Sequence, residues 1–482
     1  METYIHTAQR IGIVAITNIL VALSGIILLP ILTKTLPISD YGSWALILVT
    51  IGFVPLLATL GLRLAMVRFL AASTDKQNTR EIFYSLLFVV FFGALIASAL
   101  FFVFARPIAA SLFHNDLATA LIFPLNVFLA CLNLFITDFF RVFQQAKSYS
   151  GLILLQAYAN VALVAFFVLL GYGLQGAVFG LLLQQLIVLL LAFYLIVARI
   201  GVAVPKFMHL REHLRFSLPL VPADLSFWIT NSSDRYLIGI LIGTAAVGYY
   251  SPAYTLGGSI LLISGGLALM LPSVLAKHYD DENCEAVRTL MKYSLKYYCG
   301  VAIPSTFALS VLSKPLLIIL STPQIATNGY LVTPLVAAGM FLLGASQLLV
   351  QVVMLKKKTT FIGTVWITSA ALNLGANLLL IPYFGILGAA LATLLAFALA
   401  FIVIAMYSLR QFKFDINVGF VLKSVCVSIL ISVFLLLWGP SGLANVLLSI
   451  LLATCLYVGI LLALKGFTVD EIKFFYSVFM RS

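Results

Sequence analysis

The chain has 482 residues, 63% of them hydrophobic and only 9% charged, with a mean hydropathy of +1.14. A soluble domain carries roughly 25% charged residues, so this composition excludes a water-soluble protein and makes the chain an all-α, polytopic membrane protein. The net charge of +12 invites a nucleic-acid partner, but the placement of the cations along the chain argues against one.

A helix needs roughly 20 apolar residues to cross a ~30 Å hydrocarbon core. Windows of that length predict about fourteen spans: residues 11–33, 42–62, 82–104, 117–139, 151–171, 175–198, 216–241, 250–272, 293–313, 331–354, 360–381, 385–408, 418–438 and 443–464. Almost nothing is left for a soluble domain. The first span is too long for a signal-peptide core and no convincing small-residue cleavage site follows it, so it reads as a retained helix. Cys131, Cys284, Cys299, Cys426 and Cys455 are odd in number and widely spaced. They suggest neither a disulfide framework nor a metal knuckle, and read as small packing residues.

With the N-terminus inside, the cytoplasmic segments hold 24 of the 28 Lys and Arg residues, the outer loops hold Lys34, Arg106 and Lys314, and Arg235 lies within a span. That asymmetry is the positive-inside pattern, and it places both termini on the cytoplasmic side of a cell membrane.

Two local matches divide the chain into repeats. TLPISDYGSWA (Thr35 to Ala45) resembles LIGTAAVGYYS (Leu241 to Ser251), with Gly42 falling on Gly248, 206 residues later. YGLQGA (Tyr172 to Ala177) resembles FGILGA (Phe384 to Ala389), 212 residues later. The expected organisation is an N-terminal lobe of spans 1 to 6 (residues 1–215), a C-terminal lobe of spans 7 to 12 (216–415), and spans 13 and 14 with a short cytoplasmic tail (416–482). Six spans per unit make the repeats parallel, related by an axis along the membrane normal. Gly176 with Gly180, and Gly388 with Ala392, allow close helix approach. Pro219, Pro222, Pro252, Pro272 and Pro304 predict bends in spans 7 to 9.

The chemistry-bearing patterns are few. HLREH (His209 to His213) fits the H-x-x-E-H spacing of inverted zinc proteases. It lies in a short loop with no domain to supply a third ligand, and reads better as a basic interfacial helix on anionic headgroups. No Gly-Lys followed by Ser or Thr occurs, so no Walker-type phosphate loop is present. The longest outer loop, around Lys314 to Tyr330, offers no acid or histidine to a glycan polymerase or ligase.

Span 7 carries the costliest charges. Asp234 and Arg235 lie in its outer part, with Asn231 on nearly the same face. One reading has them satisfying neighbouring helices or Arg235 snorkelling outward. The other has Arg235 facing a cavity and attracting a phosphate or acidic sugar, with Asp234 orienting it or taking part in ion coupling. Asp224, ten residues earlier, is a lone acid deeper in the same span. Asp138, Arg141 and Gln145 share one face at the cytoplasmic end of span 4, where a local i, i+3 ion pair is the plain reading. Arg63 and Arg68 end span 2 as membrane-surface anchors or as a basic mouth that collects a pyrophosphate. Tyr249, Tyr250 and Tyr254 read as an outer aromatic belt.

The LPISDYG turn after span 1, FSLPLVPADLSFWITNSSDRYLIG opening the second half, the following VGYYSPAY, and the GLQGA and GILGA turns together resemble the polysaccharide (O-antigen type) flippases of the multidrug/oligosaccharidyl-lipid/polysaccharide exporter superfamily. The resemblance covers essentially the whole chain. It implies two six-helix lobes around a central cavity, alternating access, and movement of a polyprenyl-pyrophosphate-linked oligosaccharide from the inner to the outer leaflet for surface polysaccharide biosynthesis. It also implies partner glycosyltransferases and a glycan polymerase of the same pathway. Asp234 and Arg235 fall on the charged pair this family carries late in its seventh helix, and Arg68 on the basic residue after its second. No cofactor is expected, with H+ or Na+ open as a coupling ion. A cation-coupled multidrug exporter of the same fold, using acids such as Asp224 and Asp234, is the alternative.

Overall fold

A computed structural model describes residues 2–70, 76–143, 145–467 and Glu471, and all regular structure among them is helical. In chain order the helices are α1 (Glu2–Thr35), α2 (Ile38–Ala58), α3 (Leu62–Leu70), α4 (Lys76–Val103), α5 (Ala105–Leu112), α6 (Leu117–Val142), α7 (Ala146–Phe167), α8 (Gly173–Ile200), α9 (Leu210–Ser217), α10 (Val221–Leu241), α11 (Thr244–Gly258), α12 (Leu261–Asp280), α13 (Cys284–Leu320), α14 (Pro323–Gly329), α15 (Val332–Leu355), α16 (Thr359–Phe384), α17 (Ile386–Phe412), α18 (Val418–Trp438) and α19 (Leu443–Ala463).

Among the described residues, twelve helical stretches are long and apolar enough to cross a bilayer. Fourteen are not reached by that measure, for two physical reasons. Ala146–Ile200 counts as one 55-residue stretch, although the backbone turns at Gly171 (φ 91°) and Gly173 (φ 54°) and α7 packs back along α8. The other is α10, whose Asp224, Asp234 and Arg235 make it too polar to qualify on composition.

By packing, the chain divides into two compact units, residues 1–251 with 366–392, and 252–365 with 393–482. This partition differs in kind from the repeat lobes, since α10 packs with the first unit, where it lies along α2. In that unit α6 is the central helix, in contact with α2, α4 and α8. Its C-terminal end sits in an aromatic core of Phe83, Phe135, Phe139 and Phe140 with Leu62, Met66 and Ile196, where Phe83 meets Phe139 edge-on at 5.0 Å. In the second unit α13 packs on α15 and α18. There Lys296 Nζ lies 2.8 Å from both carboxylate oxygens of Glu471, an ion pair buried against Phe420 and Phe467.

The two sequence matches correspond to backbone requirements. Gly173 and Gly385, equivalent in the YGLQGA and FGILGA turns, both adopt left-handed φ, 54° and 57°, which only glycine enters freely. A Cβ on Gly42 would collide with the backbone carbonyl oxygen of Thr244, and one on Gly248 with that of Ile38. Ile38 and Thr244 are themselves 206 positions apart, as are Gly42 and Gly248. Each helix start therefore presents the same patch to the other, the self-complementary pattern of a local two-fold axis. In lipid such contact is made by small residues that let backbones touch. Gly248→Val is expected to cost about 1–3 kcal/mol as overpacking, read as a lower melting temperature of the detergent-purified protein. Gly265→Ala in α12, with open space at its Cβ, serves as the control and is expected to lose nothing; equal behaviour of the two variants refutes the contact.

Candidate functional site

Proline opens α10: a short turn at Leu218–Leu220 contains Pro219, and Pro222 follows in the first turn of the helix, where the missing N–H costs nothing. The helix then carries polar side chains at two levels. In its C-terminal half Asp234 is 1% exposed. Its Oδ2 accepts a hydrogen bond from the hydroxyl of Tyr250 on α11, and its Oδ1 accepts one from the backbone N–H of Arg235 at 2.8 Å. The Arg235 guanidinium lies 3.7 Å from Oδ1, is 12% exposed, and donates to the carbonyl of Asn231 at 3.4 Å. It also acts electrostatically on the buried Tyr41 of α2. Asn231 donates to the Phe227 carbonyl at 2.9 Å. On the neighbouring face Ser233 donates to Asn373 Oδ1 at 3.1 Å, and Asn377 donates to the same oxygen at 3.0 Å. The hydroxyls of Thr50 and Tyr236 pair with each other.

The other level, near the N-terminal end of α10, joins α3 to α6. Asp138 is buried between two arginines: Arg63 Nε lies 3.1 Å from Oδ2 and Arg141 Nε 3.2 Å from Oδ1. Oδ2 makes no aligned hydrogen bond, so the Arg63 contact is chiefly one of charge. Arg63 is 25% and Arg141 45% exposed. Among the described residues, nothing accepts a hydrogen bond from the terminal NH2 groups of either arginine. Arg63 also acts on Asp224, and both arginines act on Tyr149. The structure thus groups Arg63, Asp138, Arg141 and Asp224, and holds Asn231, Asp234 and Arg235 as a second group further along α10. Gln145, expected on the Asp138 face, is partly buried with Nε2 unbonded among the described residues.

Arg68 stands apart, exposed, with its guanidinium 4.7 Å above the ring of Phe216. The HLREH segment is the short helix α9, and it packs on α3. Its His213 is buried with its ring 4.5 Å from that of Phe69, while Arg211 and Arg215 stay exposed. Among the described residues no group of three or more His, Cys, Asp or Glu side chains gathers to hold a metal. Burial holds the His213 pKa below the usual imidazole value, only partly offset by Glu212. A depressed pKa means that the docked form is neutral, so its stability is complete above the ordinary value of about 6.5 and falls as acid drives protonation. Protection factors across residues 207–217, that is, hydrogen exchange corrected for its intrinsic pH dependence, are expected to fall between pH 7.5 and 5.5, and to lose that pH response in His213→Phe; an unchanged response in the variant overturns the assignment.

Sequence reasoning assigned Tyr250 to an outer aromatic belt, but it is fully buried. Its partnership with Asp234 had a legible signal. The helices α10 and α11 form a hairpin about Ile242 and Gly243, and Asp234 and Tyr250 each lie eight residues from Ile242, so the hairpin brings them opposite each other. Tyr41 and the pairing of Arg63 with Asp138 join helices distant in sequence, and no local pattern announces them.

The model of a family described as polysaccharide biosynthesis protein matches residues 7–276. The chain belongs to the polysaccharide biosynthesis protein family. Two proteins of Haloferax volcanii are similar to it: the probable flippase AglR, 28% identical over 171 residues, and the probable low-salt glycan biosynthesis flippase Agl15, 23% identical over 263 residues. These alignments cover 34% and 54% of this chain, and the chain spans 35% and 55% of the two relatives. Among solved structures, the lipid II flippase MurJ superposes with a TM-score of 0.75 at 15% identity, covering 94% of this chain and 97% of MurJ. A multidrug resistance MATE family transporter of the MOP superfamily superposes with a TM-score of 0.70 at 16% identity, covering 82% of this chain and 94% of its own. This polysaccharide biosynthesis family member therefore has the fold of those transporters, an all-helical, multi-pass membrane architecture.

Tyr250→Phe in this family member would remove a hydrogen bond from a buried carboxylate oxygen, at a cost of ~1–3 kcal/mol. In an Asp234→Asn background the same change is expected to cost much less. Equal losses of melting temperature in both backgrounds overturn the pairing.

Proposed function

We propose that this protein is a flippase, not an enzyme. It carries a polyprenyl-linked oligosaccharide from the inner to the outer leaflet of the cell membrane by alternating access, for O-antigen-type surface polysaccharide biosynthesis, with both termini cytoplasmic. The polar head of such a lipid cannot cross hydrocarbon unaided, whereas its tail can remain in the bilayer while the head moves through a hydrated path.

The observation that carries the reading is the pair of guanidinium groups set on one buried carboxylate. Asp138 engages Arg63 and Arg141 through Nε and leaves their terminal NH2 groups open. Guanidinium ends of this kind bind phosphate oxygens in a bidentate fashion, and two of them with one carboxylate leave a net positive charge for a (pyro)phosphate neck. Arg68, on the same helix α3, adds an exposed cation at the cytoplasmic mouth, and Arg235 offers a less accessible cation further along the path. The names of AglR, Agl15 and MurJ as flippases support the same class of cargo. A cation-coupled drug exporter would instead need acids free to bind a cationic ligand. Against that, Asp234 has both oxygens engaged and Asp224 lies in the field of Arg63. Enzymes that build and polymerise the glycan are the proposed pathway partners.

The test is leaflet transfer of a labelled polyprenyl-pyrophosphate oligosaccharide in proteoliposomes, followed by its protection on the far side. Wild type is expected to transfer it. Arg63→Ala and Arg141→Ala are each expected to lose on the order of tenfold or more of the flux, the loss of one charge-assisted contact, and Arg235→Ala is expected to abolish it with membrane insertion intact. Imposed proton and sodium gradients separate the two coupling ions. Failure of wild type across several glycans overturns the flippase reading, and normal flux in the arginine variants overturns their role.

A further inference from the structure

The contact between the starts of α2 and α11 is bridged by a third element. Between α5 and α6 the chain makes a rigid turn in which His114 and Asn115 both have left-handed φ, 51° and 66°, uncommon for residues other than glycine. The turn is pinned by backbone bonds from Asn115 and Phe113 to the Ala109 carbonyl (2.8 and 3.1 Å), by the buried Phe113 ring, and by Asp116, which caps α6 through the N–H groups of Ala118 and Thr119. This presents His114 to both helix starts at once. Its Nδ1 lies 3.4 Å from Asp40 Oδ1 on α2, and its Nε2 lies 3.5 Å from the hydroxyl of Thr244, the first residue of α11. Beside it Ser43 on α2 donates to the Leu112 carbonyl at the end of α5.

We propose that His114 is an acid-strengthened clasp across the starts of α2 and α11, through which the pH of the outer compartment biases the opening of that face. A neutral imidazole can donate from Nδ1 to Asp40 and accept from the Thr244 hydroxyl at Nε2; an imidazolium donates to both and adds the attraction of opposite charges to the Asp40 carboxylate, which strengthens the bond to α2. The charged groups on the surrounding elements are Asp40 on α2, Asp116 at the start of α6, Arg106 in the first turn of α5 and Lys34 in the last turn of α1, while α11 contributes none from Thr244 to Ser251. Asp40 is the group in contact, its Oδ1 3.4 Å from Nδ1 of the ring. The His114 side chain is 52% exposed, so bulk protons reach it. The glycine contact below leaves the two backbones touching with no bulky side chain between them, so the clasp acts at a seam that any opening between α2 and α11 must part. That this face is the outer one rests on the orientation given under the flippase reading.

The test requires no substrate. Spin labels are placed at Pro37→Cys and Ala245→Cys, both exposed positions at the two helix starts, in a background with the native cysteines replaced, and distances are measured in lipid nanodiscs at pH 5.5 and 8.5, which span the range over which histidine ordinarily changes charge. The expected result is a shift towards longer separation at pH 8.5, with the ratio of open to closed populations changing by about fivefold, the effect of exchanging a charge-assisted bond for a neutral one. His114→Gln is expected to give the same distribution at both pH values, and Asp40→Asn to lose most of the response. An unchanged wild-type distribution, or a shift that persists in His114→Gln, overturns the clasp. Because the readout is a distance, a shift in a protein that fails to transfer lipid sustains the clasp and overturns the flippase, and transfer without a shift does the reverse.

Discussion

Hydrocarbon offers no water to a stray carboxylate, so an acid inside a bilayer either finds donors within the protein or destabilises it. Asp234 is the point where this chain meets that demand. Its two oxygens are satisfied from two different helices, by the N–H of Arg235 on α10 and the hydroxyl of Tyr250 on α11. That satisfaction fixes the spacing and rotation of the α10–α11 hairpin. In turn the hairpin sets Thr244 and Gly248 against Ile38 and Gly42 of α2, and so determines where His114 can reach. A carboxylate that reads in isolation as a ligand is, in the fold, the fastening of the helices around it.

The same constraint separates the two levels of charge. Around Asp234 the cation is packed away, with Arg235 only 12% exposed and bonded to its own helix. Around Asp138 the carboxylate is hidden and the cations are more exposed than it is. Burying one partner of an ion pair and exposing the other orients the exposed group at little cost in solvation, since its unused N–H groups stay hydrated. Such an arrangement suits reversible capture of an anion, whereas a guanidinium enclosed on all sides must lose a contact before it can gain one.

Much of the fold was legible because lipid imposes coarse rules. Span length and the two glycine-bearing repeats are consequences of a hydrophobic slab and of backbone sterics, and each leaves a mark along the sequence. The helix at α10 was expected at residues 216–241, although the residues that give it its interest, Asp224, Asp234 and Arg235, are the ones that dilute its hydropathy. Position along a helix was readable, and it put Asp138 with Arg141 and Asn231 with Arg235. Pairing across helices was not: Arg63 with Asp138, and His114 with Asp40 and Thr244, join residues separated by 75, 74 and 130 positions. Tyr250 stood between the two cases, hidden by a strong prior for tyrosine at the membrane surface, although the arithmetic of a tight hairpin already set it across from Asp234.

The glycine seam and the charge clusters then describe one design problem solved at two ends of the same unit. Under the proposed function, helices have to part and close again without leaving unsatisfied groups in lipid. A contact made by Gly42 and Gly248 loses little when it opens, because it rests on close backbone approach rather than on interlocked side chains. The specificity such a contact lacks has to come from its rim, where the exposed His114 meets the partly exposed Asp40 and the buried Thr244. The costly polar bond, Asp234 with Tyr250, lies inside a single hairpin, so it can persist while neighbouring helices move. The polar bond of the hairpin is thus kept apart from those of the partly exposed rim, Asp40 and Thr244 with His114.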